Sequence, residues 1–308
     1  MSGMKFYDRY GPTALIIGAS EGIGAAFARE LAAQGLDLMV VARREEKLRA
    51  FAAEIARRFG VSCRPIAADM STEKGLLAVE AAIAGDETGA PKDGAASPGA
   101  PKGGGRTLDG ADDRGGPGGP TAPDIGLLVY NAAVAPTGAF LDETVERIDA
   151  TVAVNCRGAA RVARAVGERM RERGAGGIVL MSSLTGLFGS PYLSTYAASK
   201  AFLVGMGESL EAELAPDAIS VVVTCAGPTA TPGFLQERPD GAGRGIMTMT
   251  PEAVARGTLR RLPRGGRYVP GVVNTASAAL LSMLPRRVTA RLLRAATGKT
   301  IEIPTNRR

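Results

Sequence analysis

Histidine is absent from this 308-residue chain, and tryptophan is absent as well. Without histidine, the chain cannot form a Ser-His-Asp or Cys-His nucleophilic site, or the usual histidine-based zinc sites. Any general acid or base must therefore be a tyrosine, a lysine, a cysteine or a carboxylate. Aromatic residues make up only 5% of the sequence, whereas nucleic-acid grooves combine basic residues with aromatic stacking platforms. We therefore expect no nucleic-acid partner.

Cysteine is scarce, and the three cysteines, Cys63, Cys156 and Cys225, lie far apart in the sequence. Their spacing does not suit a metal knuckle, and their odd number argues against a disulfide framework. We expect no metal site. Residues 1–10 contain no apolar signal-peptide core, and no run approaches the roughly 20 apolar residues that span a bilayer. These absences favour a reducing, cytoplasmic location.

The hydrophobic content of 45% is sufficient for one large α/β domain. Short runs rich in valine and isoleucine alternate with helix-forming segments, which favours a parallel sheet covered by helices. We predict a single Rossmann-type doubly wound parallel sheet with helices on both faces. The predicted strands are residues 13–18, 36–42, 61–67, 125–130, 177–182, 219–224 and 267–269, and the predicted helices are 22–34, 44–59, 72–84, 143–173, 195–214 and 251–262.

One long segment interrupts this alternation. Residues 85–124 contain 12 glycines and 6 prolines and almost no large apolar side chains, so they cannot bury enough surface to offset their ordering entropy. We expect a disordered insertion there, and a mobile loop at residues 227–249. The insertion interrupts a single dinucleotide-binding and catalytic domain that extends over residues 1–308.

A glycine-rich turn follows the first predicted strand. Residues 18–24 read GASEGIG, and they open the next helix. Glycines at such a turn let the backbone approach a pyrophosphate, and the helix N-terminus offers free N–H groups and positive potential. The spacing G-x-x-x-G-x-G differs from the common G-x-G-x-x-G fingerprint, and a plain tight connection is the alternative interpretation.

The end of the second predicted strand indicates which dinucleotide binds. An acidic residue there would bind the ribose 2′-hydroxyl of NAD, whereas arginine accommodates a 2′-phosphate. This strand ends with Arg43 and Arg44, and the first acid is Glu45. We predict a preference for NADP(H) over NAD(H) led by Arg43, while Arg44 fits equally well as a solvated residue at the helix start.

Tyr196 and Lys200 lie four residues apart, one above the other on a helix face. An ammonium roughly 4 Å from the phenol, at an effective dielectric near 20, would contribute about 4 kcal/mol, or about three pKa units. That shift would bring the tyrosine pKa from about 10 into a range useful for proton transfer near neutrality. Ser183, at the end of the fifth predicted strand, could face the same cleft.

With these motifs in place, the chain resembles the short-chain dehydrogenase/reductase family over nearly its whole length, apart from the insertion and the C-terminal tail. The resemblance implies an NAD(P)-dependent oxidoreductase that exchanges a hydride with a small-molecule carbonyl or alcohol. The matching motifs, in order, are GASEGIG (18–24), AADM (67–70), YNAA (130–133), VNCRG (154–158), SSLTG (182–186), YAASK (196–200) and AGPTAT (226–231).

The resemblance implies a role for each matching residue. Tyr196 would be the general acid in reduction and the base in oxidation, Lys200 would lower its pKa and hold the nicotinamide ribose, and Ser183 would hydrogen-bond the substrate oxygen. Asn155 would support a water-linked proton relay through Lys200. The other implied cofactor contacts are Gly18, Ser20, Glu21, Gly22, Ile23 and Gly24 at the turn, Arg43 at the phosphate, Asp69 and Met70 at the adenine, Asn131 and Ala132 at its ribose, and Gly227, Thr229 and Thr231 at the carboxamide and phosphates.

The sequence departs from the usual family pattern at Ile17, Tyr130, Ala133 and Ala226, and Glu21 stands where some NADP-preferring members are basic. None of these departures removes a group assigned to catalysis. Two alternatives keep the fold: a non-catalytic NADPH-sensing binding protein, and a non-redox dehydratase or dehalogenase relative. Non-redox relatives tend to lose the glycines or the lysine, and both are present here.

The net charge of +6 comes from the C-terminal segment, because residues from Pro285 onward include seven basic residues and one acid. Residues 272–284 are apolar and residues 285–296 are arginine-rich and compatible with a helix, so we predict a basic helical extension at 272–308. Its helices either pack on the substrate loop or a partner subunit, or make a weak peripheral contact with anionic lipid.

The substrate class follows only from the apolar residues expected around the cleft, which favour a hydrophobic ketone, aldehyde or acyl thioester. Members of the family usually pair through the helices that correspond to residues 143–173 and 195–214, so the resemblance implies a homodimer or homotetramer. The expected pocket residues are Leu184, Leu187, Phe188, Pro191, Tyr192, Phe234 and Leu235.

Overall fold

The computed structural model of the protein describes residues 6–86, 122–236 and 248–298. Its centre is a seven-stranded sheet in the order β3-β2-β1-β4-β5-β6-β7, in which every neighbouring pair is parallel. The predicted doubly wound sheet is therefore confirmed. The strands are β1 (Thr13–Ile17), β2 (Asp37–Ala42), β3 (Cys63–Ala67), β4 (Ile125–Tyr130), β5 (Gly176–Ser183), β6 (Ile219–Ala226) and β7 (Gly266–Tyr268).

Helices cover both faces of the sheet, and each face has its own apolar core. One core packs the sheet against α4, α6 and α7, and the other packs it against α2, α3 and α9. The helices are α1 (Phe6–Tyr10), α2 (Gly22–Ala32), α3 (Glu45–Phe59), α4 (Glu73–Ala84), α5 (Val145–Val152), α6 (Ala159–Arg173), α7 (Ser194–Leu214), α8 (Pro232–Gln236), α9 (Pro251–Arg261), α10 (Val272–Ser282) and α11 (Arg286–Gly298).

Strand β4 shows why the central strands read as continuous apolar runs. Leu127 and Val129 enter one core, while Leu128 and Tyr130 enter the other. Successive side chains of a strand point to opposite faces, and both faces of a parallel sheet are buried under helices. A strand in this position therefore needs apolar residues at every position rather than at alternate ones.

The structure corrects one helix. The sequence predicts one helical stretch over residues 143–173, but the chain forms α5, then a π-helical segment at Ala153–Gly158, and then α6. The hydrogen bonds of a π segment span five residues instead of four, and such segments are frequent at functional sites. The apolar periodicity on either side is that of an ordinary helix, so the composition of the stretch does not reveal the interruption.

Two segments of the sequence-based prediction fall partly outside the described residues. The predicted disordered insertion is described only at its ends, and residues 87–121 lie outside. Those ends meet, since a side chain on Gly85 would come within 2.5 Å of the Ala122 Cα. The predicted loop at residues 227–249 includes the short helix α8, and residues 237–247 lie outside. In the part of the chain described, no helix is both long and apolar enough to cross a membrane.

Candidate active site

The candidate site lies at the carboxyl ends of the central strands. The chain winds outward from β1 to β3 and then crosses to β4, so the strand order reverses between β1 and β4. In open α/β sheets, ligands bind outside the strand ends at such a reversal. The glycine-rich turn follows β1, Asn131 follows β4, and Ser183 is the last residue of β5.

The glycine-rich turn is shaped by two close backbone approaches. Gly18 has a φ of +84°, and a side chain there would lie 2.7 Å from the Ala132 backbone nitrogen. The Asn131 side-chain amide donates to the Gly18 carbonyl at 2.9 Å, and a side chain on Gly24 would collide with the same carbonyl. Glycine is required at both positions, so the turn can present its backbone to a ligand.

The residue before helix α2 leaves the helix N-terminus open. Glu21 is the N-cap residue, but its side chain does not cap the helix. The carboxylate instead accepts from Lys47 at 2.7 Å and pairs with Arg44 at 2.8 Å. The hydrogen bond from Lys47, with that from Arg44, lowers the pKa of Glu21. The N–H groups of the first turn are therefore not taken by this carboxylate, and its charge is compensated.

Arg43 lies beside Asp69 at the ends of β2 and β3. Burial alone would raise the pKa of Asp69, but two hydrogen bonds from Ser71 and the attraction of Arg43 outweigh it, and the pKa is lowered. The Arg43 side chain is exposed, and Met70 is buried in the core. Arg44 and Lys47, which pair with Glu21, lie close to Arg43 in the sequence.

Tyr196 and Lys200 come together on α7, as the spacing predicts. The Lys200 Nζ lies over the Tyr196 ring, 5.5 Å from its centroid. Lys200 is only 3% exposed, and burial lowers its pKa to about 8, although the nearby Cys156 acts in the opposite direction. Nζ donates one hydrogen bond, at 2.8 Å, to the Met181 carbonyl. A buried amine is thus held against the ring face of a half-buried phenol.

Strand β5 and the short turn that follows it hold α7 in place. The Ser182 hydroxyl donates to the Lys200 carbonyl at 2.8 Å, and a side chain on Gly186 would come within 2.7 Å of the Lys200 carbonyl carbon. Ser183 is half-buried, and its hydroxyl accepts from the Thr185 N–H at 3.2 Å. Its own O–H can therefore donate to a ligand oxygen at the strand end.

Asn155 occupies the π segment, and its side chain forms a clamp. Its amide donates to the Val134 carbonyl and to the Ser199 hydroxyl, both at 2.8 Å, while its oxygen accepts from the Val134 N–H at 2.8 Å. Ser199 in turn donates to the Tyr196 carbonyl at 2.7 Å. The Asn155 side chain therefore reaches Tyr196 through Ser199 and makes no direct hydrogen bond to Lys200.

Two members of this network were not assigned a role from the sequence. Ser199 is a motif residue that links Asn155 to the helix turn of Tyr196. Tyr130, noted only as a departure from the family pattern, is 1% exposed, and its hydroxyl donates to the Val154 carbonyl at 2.5 Å. A side chain on Gly158 would lie 2.5 Å from that hydroxyl. The glycine of the VNCRG motif is the sequence signal for this contact, because it makes room for the Tyr130 hydroxyl.

The loop after β6 packs on the glycine-rich turn. Thr231 lies next to Gly22, where an added side chain would come within 3.0 Å of the threonine methyl, and the Thr229 hydroxyl donates to the Gly227 carbonyl at 3.0 Å. The remaining residues expected at the cofactor lie on the same elements: Ser20 and Ile23 are half-buried in the turn, and Ala132 is partly buried after β4.

The expected pocket residues lie on two segments, the turn after β5 and helix α8. Those of the first segment and Phe234 are half-buried, while Leu235 is 56% exposed. The Tyr192 backbone has a φ of +67°, which is uncommon for a residue with a side chain, and its carbonyl accepts from the Gly138 N–H at 2.9 Å. That bond ties the turn after β5 to the loop after β4.

The doubly wound sheet, the open N-terminus of α2 at the strand reversal and the Tyr-Lys pair on α7 define a nucleotide-binding oxidoreductase of the Rossmann type. The model of the short chain dehydrogenase family matches residues 12–86 and 121–241, and the chain belongs to that family. It is an NAD(P)-dependent oxidoreductase that acts on alcohol or carbonyl groups.

Among characterised proteins, the chain is similar to 7beta-hydroxysteroid dehydrogenase of Collinsella aerofaciens, with 28% identity over 277 residues that cover 89% of this chain and 91% of that protein. It is 34% identical to oxidoreductase UcpA of Salmonella typhimurium over 72% of this chain and 71% of that protein.

Solved structures give the same family. A 7beta-hydroxysteroid dehydrogenase superposes with a TM-score of 0.76 at 26% identity, covering 94% of this chain and 99% of the other. A short-chain dehydrogenase from Sphingobium yanoikuyae in complex with NADPH superposes with a TM-score of 0.66 at 27% identity, covering 90% of this chain and 97% of the other.

Proposed function

We propose that the protein is an NADP(H)-dependent carbonyl reductase or alcohol dehydrogenase that acts on a bulky, hydrophobic ketone or secondary alcohol. The observation that carries this proposal is the buried Lys200 amine held over the Tyr196 ring, on a helix that is hydrogen-bonded to Met181 and Ser182 near the end of β5. The residues present fit a dinucleotide: glycines admit its pyrophosphate, and the open N-terminus of α2 favours an anion.

In the reductive direction, Tyr196 donates its phenolic proton to the carbonyl oxygen, and Ser183 donates a hydrogen bond to the same oxygen as negative charge develops there. The Lys200 ammonium attracts the phenolate that forms as the proton leaves. A bound NADPH would supply the hydride to the carbonyl carbon. In the oxidative direction, the same phenolate accepts the proton of the alcohol.

The preference for NADPH rests on the basic corner at the end of β2. Arg43 is exposed there, and the attraction between it and Asp69 places its charge at this end of the sheet. Glu21 would oppose a phosphate, but Arg44 and Lys47 neutralise it. A guanidinium can bind a 2′-phosphate through two parallel hydrogen bonds, so a 2′-phosphate would gain more from Arg43 than a hydroxyl would.

A large substrate is supported by the pocket and by relatives. The residues after β5 and on α8 offer apolar side chains, and no charged residue lies in residues 184–194. The relatives named above include dehydrogenases of a hydroxysteroid.

We also propose that the protein forms a homodimer or homotetramer through α5, α6 and α7. Exposed apolar side chains lie on or next to these elements: Phe140 and Leu141 in the short turn before α5, Val145 at the start of α5 and Phe202 on α7. Large exposed apolar patches mark interaction sites.

The three cysteines are free, which supports the cytoplasmic location proposed from the sequence.

The experiment that tests the function is a carbonyl screen. NADPH consumption is followed over a panel that contrasts steroid ketones with acetone and cyclohexanone, and Tyr196→Phe is the control. We expect turnover of at least one bulky ketone and a strong reduction of activity in the variant. NADPH binding without turnover on any substrate would favour the sensor alternative. On hydroxy and halo ketones included in the panel, elimination of water or halide without NADPH consumption would favour the non-redox one.

A further inference from the structure

Helix α10 presents an apolar face to solvent. Val272, Leu280 and Met283 are 86%, 63% and 82% exposed, and with the exposed Ala276 they follow the spacing of a single helix face. Of the fourteen large hydrophobic side chains that are exposed in the described residues, six lie between residues 272 and 292. A concentration of this kind marks an interaction surface rather than scattered surface residues.

The opposite face of α10 is already packed on the protein. Ala278 is buried, and the Asn274 amide donates to the Pro270 carbonyl at 2.9 Å and contacts the Met249 sulfur at 3.5 Å. A side chain on Gly227 would collide with Asn274 at 2.6 Å. The helix is therefore anchored beside the loop that follows β6, next to the candidate active site, and its outward face is left without a protein partner in the described structure.

Helix α11 adds positive charge to the same surface. The buried Thr289 donates to the Leu281 carbonyl at 3.2 Å, which joins α11 to α10. Four exposed arginines lie on α11, and none of them forms an ion pair with a carboxylate of the described residues. From residue 253 to residue 301 the sequence has ten basic residues and no acidic one. The four are Arg286, Arg287, Arg291 and Arg294.

We propose that α10 and α11 form a docking surface for an anionic phospholipid bilayer, with the outward face of α10 and the apolar residues Val288 and Leu292 of α11 at the acyl boundary and the arginines at the phosphates. An apolar stripe flanked by arginines is the pattern of interfacial helices. Because α10 is anchored beside the candidate active site, docking would bring the substrate cleft close to a source of apolar substrates.

Charge decides between lipid and a second copy of the chain. In a two-fold symmetric pair the same patch faces itself, so the four arginines of α11 would approach those of the other copy with no carboxylate between residues 253 and 301 to compensate. An anionic bilayer supplies the missing negative charge. The exposed apolar residues of the proposed oligomer surface, around Phe140 and Phe202, lie on other elements.

The test is vesicle sedimentation of the full-length protein without substrate. Vesicles of phosphatidylcholine with 30 mol% phosphatidylserine are compared with pure phosphatidylcholine, at low and at high salt. Each arginine near an anionic surface contributes about fivefold to partitioning, so Arg287→Gln with Arg291→Gln should weaken it about 30-fold. The matched control for the arginines is Arg57→Gln with Arg58→Gln, which are exposed on α3. A second test variant, Leu280→Ser, changes the outward face of α10. Its control is Leu77→Ser, whose leucine is 53% exposed on α4.

We expect sedimentation with the anionic vesicles at low salt, its loss at high salt, and its loss in the α10 and α11 variants but not in the controls. No sedimentation at low salt, or equal sedimentation of Leu280→Ser and wild type, would overturn the proposal. Dissociation of an oligomer by Leu280→Ser, with unchanged lipid binding, would assign the surface to a second copy instead. Tyr196→Phe should bind vesicles like wild type. Vesicle binding therefore tests the lipid surface independently of the carbonyl screen, which tests the proposed function.

Discussion

Replacing Lys200 by methionine removes one ammonium group from the proposed site and leaves a side chain of similar length. The flexible, apolar methionine suits a position that is 3% exposed. The ammonium lies 5.5 Å from the centroid of the Tyr196 ring, and at an effective dielectric near 20 it would stabilise a phenolate by about 3 kcal/mol, or roughly 100-fold in rate. We expect kcat/KM for ketone reduction to fall by about that factor, because the phenolate develops as the proton leaves.

The assay is a double-mutant cycle at pH 7 with NADPH and a ketone found active in the screen. If Lys200 acts on Tyr196, Lys200→Met should cost less than about tenfold in a Tyr196→Phe background, since the phenolate is then absent. Lys74→Met, at an exposed lysine on α4, controls for the loss of a positive charge. Wild-type kcat/KM in Lys200→Met, or an equal cost in both backgrounds, would show that Lys200 does not act on Tyr196.

Three further perturbations follow from the same contacts. Burial lowers the pKa of Lys200 from 10.5 to about 8. Between these two pH values the unfolded chain binds a proton at Lys200 that the folded protein does not. The free energy of unfolding of wild type relative to Lys200→Met should therefore rise from pH 8 to pH 10.5 in denaturant titrations. Arg43→Ala should weaken NADPH binding about tenfold, with little change for NADH, in fluorescence titrations. In Tyr130→Phe the Val154 carbonyl, next to Asn155 in the chain, loses its hydrogen-bond donor. The variant should therefore lower the free energy of unfolding by about 1 kcal/mol. It should also lower kcat more than it raises KM.

Each of these has a control and a contrary outcome. A stability difference that stays constant or shrinks between pH 8 and pH 10.5 would contradict the burial of a charged Lys200. For the nucleotide, Arg49→Ala, which removes an exposed arginine paired with Glu45, should bind NADPH like wild type; equal weakening of NADPH and NADH by Arg43→Ala would overturn the phosphate assignment. Unchanged kcat in a less stable Tyr130→Phe would leave Tyr130 with a structural role alone.

The sheet could be predicted because its signals are local. Strands buried on both faces need apolar residues at every position, so IGLLVY at 125–130 gives β4 with both of its ends. The turn at 18–24 could be predicted because its glycines lie within one strand-to-helix connection, although Gly18 also makes room for the distant backbone of Ala132. The Tyr196–Lys200 pair is local as well, since four residues make one helical turn.

What the sequence could not predict depends on contacts between distant segments. In the sequence, Glu21 looks like an obstacle to a bound phosphate. Its charge is compensated by Lys47, which lies 26 residues away and cannot be recognised as its partner from the sequence. The single helix predicted over 143–173 is interrupted by a π segment whose Val154 carbonyl is held by Tyr130, 24 residues earlier in the chain. The helical pattern alone carries no sign of that bond.

The direct measurement of hydride transfer uses NADPH labelled with deuterium at the transferable C4 position and a bulky ketone, with the product alcohol analysed by mass spectrometry. We expect one deuterium on the carbinol carbon with wild type and almost none with Tyr196→Phe, although the variant still binds NADPH. An unlabelled alcohol from wild type, or full labelling by Tyr196→Phe at the wild-type rate, would contradict the proposed function.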